Sequence, residues 1–398
     1  MNKPKIRFPE FTSNYEENSL SEYLCENKER NKDNKYGKED VKSVSGEYGV
    51  VNQIEYLGKS MAGADVSNYH VVLTDDIVYT KSPLKANPYG IIKHNGGSNG
   101  IVSTLYAVYH CKETAIPEYI DAYFSYDSRL NRYLKPLVNI GAKHDMKVNN
   151  EDAISGQVMF PSLEEQKKIA DFLSIYNERI DIQRQKVVAL EERKKGLLQE
   201  IFSQKIRFKA DDGSDFPVWE EHSMGEFFIE RKSRAKGNEE LLSVTIANGV
   251  IRQIDSDKRD QSSDDKSNYK VVKKGDIAYN TMRMWQGAEG VSKWDGIVSP
   301  AYTVIIPMSN VNADFFMILF KTAKALKQFT IYSQGLSSDN WSLKFDMFAE
   351  LEFAIPCADE QTKIVHFFKV LNEQIQIEKD KLEAIKLIKK GLLQQMFV

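Results

Sequence analysis

Apolar residues recur every three or four positions over two long stretches without proline, and this period predicts two long helices. The first runs from Glu164 to Phe202, is rich in Leu, Ile, Glu, Lys, Gln and Arg, and has Gly196 as its one glycine. Ser162 and Glu165 have the spacing of a capping box at its start. Its seam reads Leu173, Ile180, Val187, Lys194 and Ile201 at one heptad position, and Ile169, Tyr176, Gln183, Leu190 and Leu197 at the other. The second seam reads Phe368, Ile375, Leu382, Lys389 and Met396, with Ile364, Leu371, Glu378, Ile385 and Leu392. Polar intrusions fall at equivalent places, Gln183 with Glu378 and Lys194 with Lys389, where they weaken a coiled coil but set its register and partner. About 39 residues at about 1.5 Å each make a rod of roughly 58 Å, longer than the core of such a domain requires. Two such helices in one chain most simply pair with each other, antiparallel, as a rigid spacer. A dimerisation seam between chains is the alternative.

Elsewhere the pattern is short β-type runs separated by turns, over 19–155 and 223–352. Examples are Val71–Leu73, Asp76–Tyr79 and Ile101–Tyr109, then Val271–Val272, Asp276–Tyr279 and Tyr302–Ile306. Each region adds one helical stretch, Glu118–Leu134 and Ala313–Phe329. The expected fold class is α+β: two α/β domains, each a twisted and mostly antiparallel sheet with a helix, separated by the two long helices as an antiparallel coiled coil. The expected boundaries are 1–160, 161–204, 205–355 and 356–398.

The chain is a tandem duplication. Pro161–Phe202 aligns without a gap to Pro356–Phe397, with 19 of 42 positions identical. The strongest blocks are Pro161–Ile169 against Pro356–Ile364, and Lys194–Gln199 against Lys389–Gln394. Matches continue in the β regions: Ser67–Tyr79 with Ser267–Tyr279, and Gly100-Ile-Val-Ser103 with Gly296-Ile-Val-Ser299. Lys5-Ile-Arg-Phe8 returns as Lys205-Ile-Arg-Phe208. Between the matched patches the copies differ, as in Thr80–Gly90 against Asn280–Gly287. The pattern implies an internal pseudo-two-fold repeat whose scaffold is kept while its loops diverge, as in two related domains that read different targets.

Charge sharpens this reading. The net charge is only −3, from 54 basic and 57 acidic residues, which argues against coating nucleic acid by electrostatics alone. Yet Ile77–Lys112 contains no acid while carrying Lys81, Lys85, Lys93 and His94. Ser128–His144 is also free of acid and carries Arg129, Arg132, Lys143 and His144. In the second copy Phe315–Ser338 carries Lys321, Lys324 and Lys327 and no acid, with Lys324 and Lys327 close to the positions of Arg129 and Arg132. Basic windows at matching places suggest a phosphate-facing surface, against the plainer reading of a solvated cationic helix face. The diverged loops add groups suited to base edges: Asn87, Tyr89, Asn95 and Asn99 in the first copy, and Arg283, Trp285, Gln286 and Lys293 in the second. A later loop adds Ser338, Asn340 and Trp341. The clusters carry more weight than any one member.

Catalytic signatures are missing. No P-loop is found, and Asn87-Pro88-Tyr89 lacks a proline of the amino-methyltransferase motif and reads as a turn. Cys25, Cys111 and Cys357 are far apart and six histidines are scattered, so neither a disulfide framework nor a metal site is expected. The N-terminus has no signal-type apolar segment and no run of about 18 apolar residues occurs, so a cytoplasmic protein without a membrane span is expected.

Two variable regions, two repeated long helices, the four blocks above and the opening Lys5-Ile-Arg-Phe-Pro9 resemble the specificity subunit of type I restriction-modification enzymes. The resemblance covers essentially the whole chain. It implies a non-catalytic DNA reader in which each variable domain is a target recognition domain for one half of a split site. It also implies that the helices set the spacer and dock two methyltransferase subunits, which restriction subunits join. Double-stranded DNA is then the ligand. No cofactor belongs to this chain; S-adenosylmethionine, ATP and Mg are expected in the partners. Two similar domains would occupy successive major grooves about 34 Å apart per helical turn. Alternatives are a stand-alone sequence-specific DNA-binding protein dimerising through its long helices, an enzyme acting on nucleic acid, and a scaffold with no DNA role.

Overall fold

A computed structural model describes residues 3–140, 146–237, 239–256, 259–260, 262–336 and 340–398. The chain divides into two compact units, Met1–Gln185 with Lys379–Val398, and Lys186–Glu378. Each unit therefore holds one variable domain and a part of both long helices.

In the first unit a four-stranded antiparallel sheet has the spatial order Leu24–Glu26, Tyr106–Cys111, Ile77–Thr80, Ile92–His94. Side chains alternate across it. Ile77 and Tyr79 join the main core with Tyr109, while Val78 and Val108 join a second cluster with Val72 and Val102. Glu16–Ser19 pairs with Gln157–Phe160 and ties the start of the domain to its end. Among the described residues the α-helices of this domain are α1 (Gln53–Leu57), α2 (Pro117–Phe124) and α3 (Asp127–Leu134). The single helix expected over Glu118–Leu134 is thus two, because Ser125 closes α2 and Tyr126 turns extended, at φ −101° and ψ 108°. The strand expected over Ile101–Tyr109 is likewise split, by a turn in which the Tyr106 N–H donates to the Ser103 carbonyl at 3.0 Å. The long helix α4 (Leu163–Phe202) follows.

The second unit repeats this plan, with sheet order Phe228–Glu230, Tyr302–Pro307, Ile277–Asn280, Glu289–Val291. Its helices are α5 (Ala313–Leu319), α6 (Ala323–Tyr332) and α7 (Phe345–Ala349), followed by the long α8 (Ala358–Gln395). The repeated Gly-Ile-Val-Ser patches have a steric cause. A Cβ on Gly100 would lie 2.4 Å from the Asp40 carbonyl oxygen, and one on Gly296 2.4 Å from that of Glu240.

The long helices pair antiparallel in each unit. In the first, Ile169 and Leu173 of α4 share the core with Leu392, Leu393 and Met396 of α8, and Asn177 accepts from the Lys389 ammonium. In the second, Leu190 and Leu197 pack with Ile364, Phe368, Leu371 and Ile375, and Lys186 meets Glu378 at 3.0 Å. The residues expected at the seam are covered, and Leu393, outside the expected seam, is buried as well. Ile169, Leu173, Ile180, Val187, Ile364, Phe368, Ile375 and Leu382 are buried, and Leu190, Leu197, Ile385 and Leu392 half-buried.

The capping box expected at Ser162 forms only in part. Ser162 Oγ accepts from the Glu165 N–H at 3.4 Å, but the Glu165 carboxylate binds Arg7, at 2.8 and 2.7 Å, and the Tyr15 hydroxyl at 3.1 Å.

Candidate nucleic-acid interface

In the first unit the diverged loop 81–90 leaves strand Ile77–Thr80 and is braced onto α3. Asn87 Nδ2 donates to Asp127 Oδ1 at 2.9 Å, and Asn131 Nδ2 donates to the Ala86 carbonyl at 2.9 Å. Gly90 closes the loop at φ +89°, where a Cβ would lie 2.0 Å from the Thr80 carbonyl oxygen, so only glycine fits. Lys85 precedes Ala86 in the loop, and Arg132 follows Asn131 on α3. Both are exposed, as is Lys135, and none of the three has a hydrogen-bond or ion-pair partner among the described residues. These are exposed cations of the kind that hold phosphates, with Asp127 as the acid at the brace.

Several expected DNA contacts are instead internal. Arg129 is buried: Nη1 donates to the Tyr123 carbonyl at 2.9 Å, Nη2 to the Leu393 carbonyl at 2.8 Å, and its guanidinium lies 4.9 Å from the Phe397 ring centroid. It anchors the C-terminal end of α8. Residues 129, 130, 133 and 134 share the inner face of α3, a period of three and four that separates Arg129 from outward Arg132. An acid-free window reports the sign of the charge, not the side of the helix. Asn87 is a brace, as described. Asn95 is fully buried and donates to the Leu73 carbonyl at 2.7 Å. Lys93 is buried, donating to Ser125 Oγ at 2.8 Å beside Asp121. His94 pairs with Asp75 at 3.0 Å and Lys81 donates to Asn150 at 2.7 Å, whereas Asn99 stays exposed while its Oδ1 accepts from the Thr74 N–H at 2.8 Å. Tyr89 is half-buried, and its carbonyl accepts from the Tyr79 hydroxyl at 2.7 Å. Lys143, His144 and Ser338 lie outside the described residues.

The second unit builds the corresponding site with different chemistry. Loop 281–287 contains a short turn, Met284–Gln286, closed by Gly287 in the left-handed region at φ 78°, and packs against α6. Buried Met284 is its apolar anchor. Arg283 is exposed and donates to Gln286 Oε1 at 3.1 Å, so the two side chains present a joined donor–acceptor edge. The rings of Trp285 and Trp341 meet at 5.4 Å and 78°. Lys324 and Lys327 on α6, and Lys293, are exposed without partners among the described residues, and Asn340 is exposed as well. Beneath the loop, burial raises the Glu289 carboxyl above its usual range, offset in part by Lys321. The sequence reading placed Lys321 in a basic window facing phosphate and missed Glu289, its partner. The signal for Glu289 was a charged residue at the strand position where the first copy has Ile92, since Tyr279 pairs with Glu289 as Tyr79 pairs with Ile92.

One group of potential metal ligands occurs among the described residues: Asp75, His94 and Glu118, with donor atoms within 4.8 Å of one another. Asp75 already bonds His94, and two exposed acids beside one imidazole are ordinary for a solvated surface. No helix among the described residues is long and apolar enough to cross a membrane.

The type I restriction modification DNA specificity domain matches this chain twice, at residues 68–192 and 218–387. The chain belongs to that family. Its role is that of the DNA-recognition subunit of a type I restriction-modification system. Solved structures share the fold. A chain of a type I system, solved to explain complex assembly and conformational transition, is 14% identical with a TM-score of 0.58, over 96% of this chain and 97% of that one. The specificity subunit from M. genitalium is 13% identical with a TM-score of 0.53, over 100% of this chain and 99% of its own.

In the first unit Ile175 and Ile182 of α4 are 51% and 58% exposed. In the second, Val370 and Ile377 of α8 are 48% and 53% exposed. These pairs are equivalent, each separated by the 195-residue offset of the repeat. The seams are filled within the chain, which removes the surface that dimerisation through them would need.

Proposed function

We propose that each variable domain reads one half of a bipartite DNA target, and that the paired long helices set the number of base pairs between the halves. The observation that carries this is the braced loop-on-helix site built at the same place in both units with different side chains. It consists of Lys85 with Arg132 in one, and Arg283, Gln286 and Trp285 with Lys324 in the other. The exposed cations supply sequence-independent phosphate contacts, and the loop side chains supply base-edge contacts.

The matching apolar pairs Ile175/Ile182 and Val370/Ile377 support docking of two copies of one partner, the methyltransferase subunit, with restriction subunits joining the assembly. Methyl transfer and cleavage then lie in those partners, which bind S-adenosylmethionine, ATP and Mg, while this chain works in the cytoplasm without a cofactor. The near-neutral net charge of −3 suits a reader that draws part of its DNA affinity from its partners.

Replacement of loop 281–287 in the assembled complex, followed by genome-wide methylation mapping, tests the assignment. One half of the target changes and the other half and the spacer stay the same. A change in both halves, or in neither, refutes it.

A further inference from the structure

The loop of the second domain stands on an ion pair that the first domain lacks, between a buried carboxylate and a lysine that reaches in from the surface. The Glu289 side chain is fully buried, and neither of its oxygens accepts a well-aligned hydrogen bond. The Lys321 ammonium lies 2.8 Å from Glu289 Oε1 and donates to the Gly287 carbonyl at 2.5 Å. Gly287 is the residue that closes the turn: its N–H donates to the Met284 carbonyl at 2.8 Å, and the next N–H, of Ala288, donates to the Arg283 carbonyl at 3.2 Å. The chain of contacts thus runs from Glu289 through Lys321 and Gly287 to the backbone of Arg283. For stability alone the pair is a poor choice. Burying a carboxylate is expensive, and apolar residues of similar size hold such a position as well or better. The first domain takes that choice, with Ile92 at the equivalent strand position.

We propose that Glu289 and Lys321 are positioning residues for recognition of the second half-site, holding loop 281–287 so that Arg283 and Gln286 meet base edges at a set height and angle. This rests on the reading of that loop as a base-reading element. Bidentate contacts of Arg and Gln with bases tolerate little displacement, so a slack loop loses discrimination before it loses affinity. Phosphate contacts from Lys324 and Lys327 on α6 do not depend on the pair.

The test uses the complete complex with its methyltransferase subunits and maps methylation at saturating enzyme for Glu289→Gln, Lys321→Met, Lys321→Arg and the double variant Glu289→Ile/Lys321→Met. The double variant removes the buried charge altogether and keeps the fold if the single changes do not. The expected result is discrimination at the second half-site lowered about tenfold in the double variant, with the first half-site and spacer unchanged. Lys321→Arg, which keeps the charge and a donor, restores much of it. Unchanged fidelity in the double variant overturns the proposal, as does a loss of total methylation with sequence preference intact, which is the mark of a merely structural pair. Replacement of loop 281–287 in the same background separates the two levels. If that graft leaves the second half-site unaltered, the base-reading assignment itself fails and takes this inference with it.

Discussion

Arg7 grips the buried carboxylate of Glu165 through two hydrogen bonds of 2.8 and 2.7 Å, 158 residues away in the chain. The second copy repeats the grip, with Arg207 on Glu360 at 3.2 and 2.6 Å and Trp219 Nε1 donating at 2.9 Å. The repeated Lys-Ile-Arg-Phe and Pro-x-x-x-Glu-Gln blocks are two halves of one lock at the start of each long helix. The following Gln caps it, as Gln166 and Gln361 donate to the Pro161 and Pro356 carbonyls at 3.1 and 2.9 Å.

Breaking the lock leaves a buried charge alone. Arg7→Ala is expected to destabilise the first unit by about 3–5 kcal/mol, and Tyr15→Phe, which removes one neutral donor, by about 1 kcal/mol. Denaturant unfolding of the purified chain measures both. Equal small effects for the two variants would count against the lock.

Arg129 and Arg132 separate structure from DNA contact. Arg129→Ala is expected to lower the melting temperature, and so is deletion of residues 393–398, because both strip the same anchor. Arg132→Ala and Lys85→Ala leave stability unchanged. Each instead lowers DNA affinity of the complex and reduces the log–log salt slope by about one. Affinity titrations at several salt concentrations, paired with thermal melts, decide between the roles.

Gly100→Ala and Gly296→Ala each push a Cβ against a backbone carbonyl oxygen that cannot withdraw cheaply. A loss of about 1–3 kcal/mol is expected at each site, confined to its own unit. Chemical denaturation with hydrogen-exchange readout checks the magnitude and the location.

His70 is buried, and burial together with nearby Arg30 and Lys81 pushes its pKa down to about 4 from an ordinary 6.5. The unfolded chain therefore binds a proton that the folded chain refuses between those values. The stability is complete above pH 6.5 and falls as pH drops toward 4, by about 3 kcal/mol at most. Unfolding midpoints across that range should be flatter in His70→Gln than in the parent. An identical slope would show that other groups govern the acid limb.

Ile175→Asp with Ile182→Asp should remove one methyltransferase copy from the complex, and Val370→Asp with Ile377→Asp the other. Native mass spectrometry then finds one partner per chain in place of two. Retention of both would move the docking surface elsewhere.

The sequence by itself determined what depends on local period and on repetition. Three-and-four spacing named the helices and their seam, alternation named the strands, and the 195-residue offset exposed the duplication. Only the tertiary structure decided which polar groups face water. Arg129 and Arg132 are three residues apart with the same charge, yet one bonds the last turn of α8 and the other is exposed. Asn87 and Asn95 look like base readers in a glycine-rich loop, yet they brace backbone. The reason is that a hydrogen bond or an ion pair is settled by distance and direction across the fold, and residues 158 positions apart, such as Arg7 and Glu165, carry no local mark of each other.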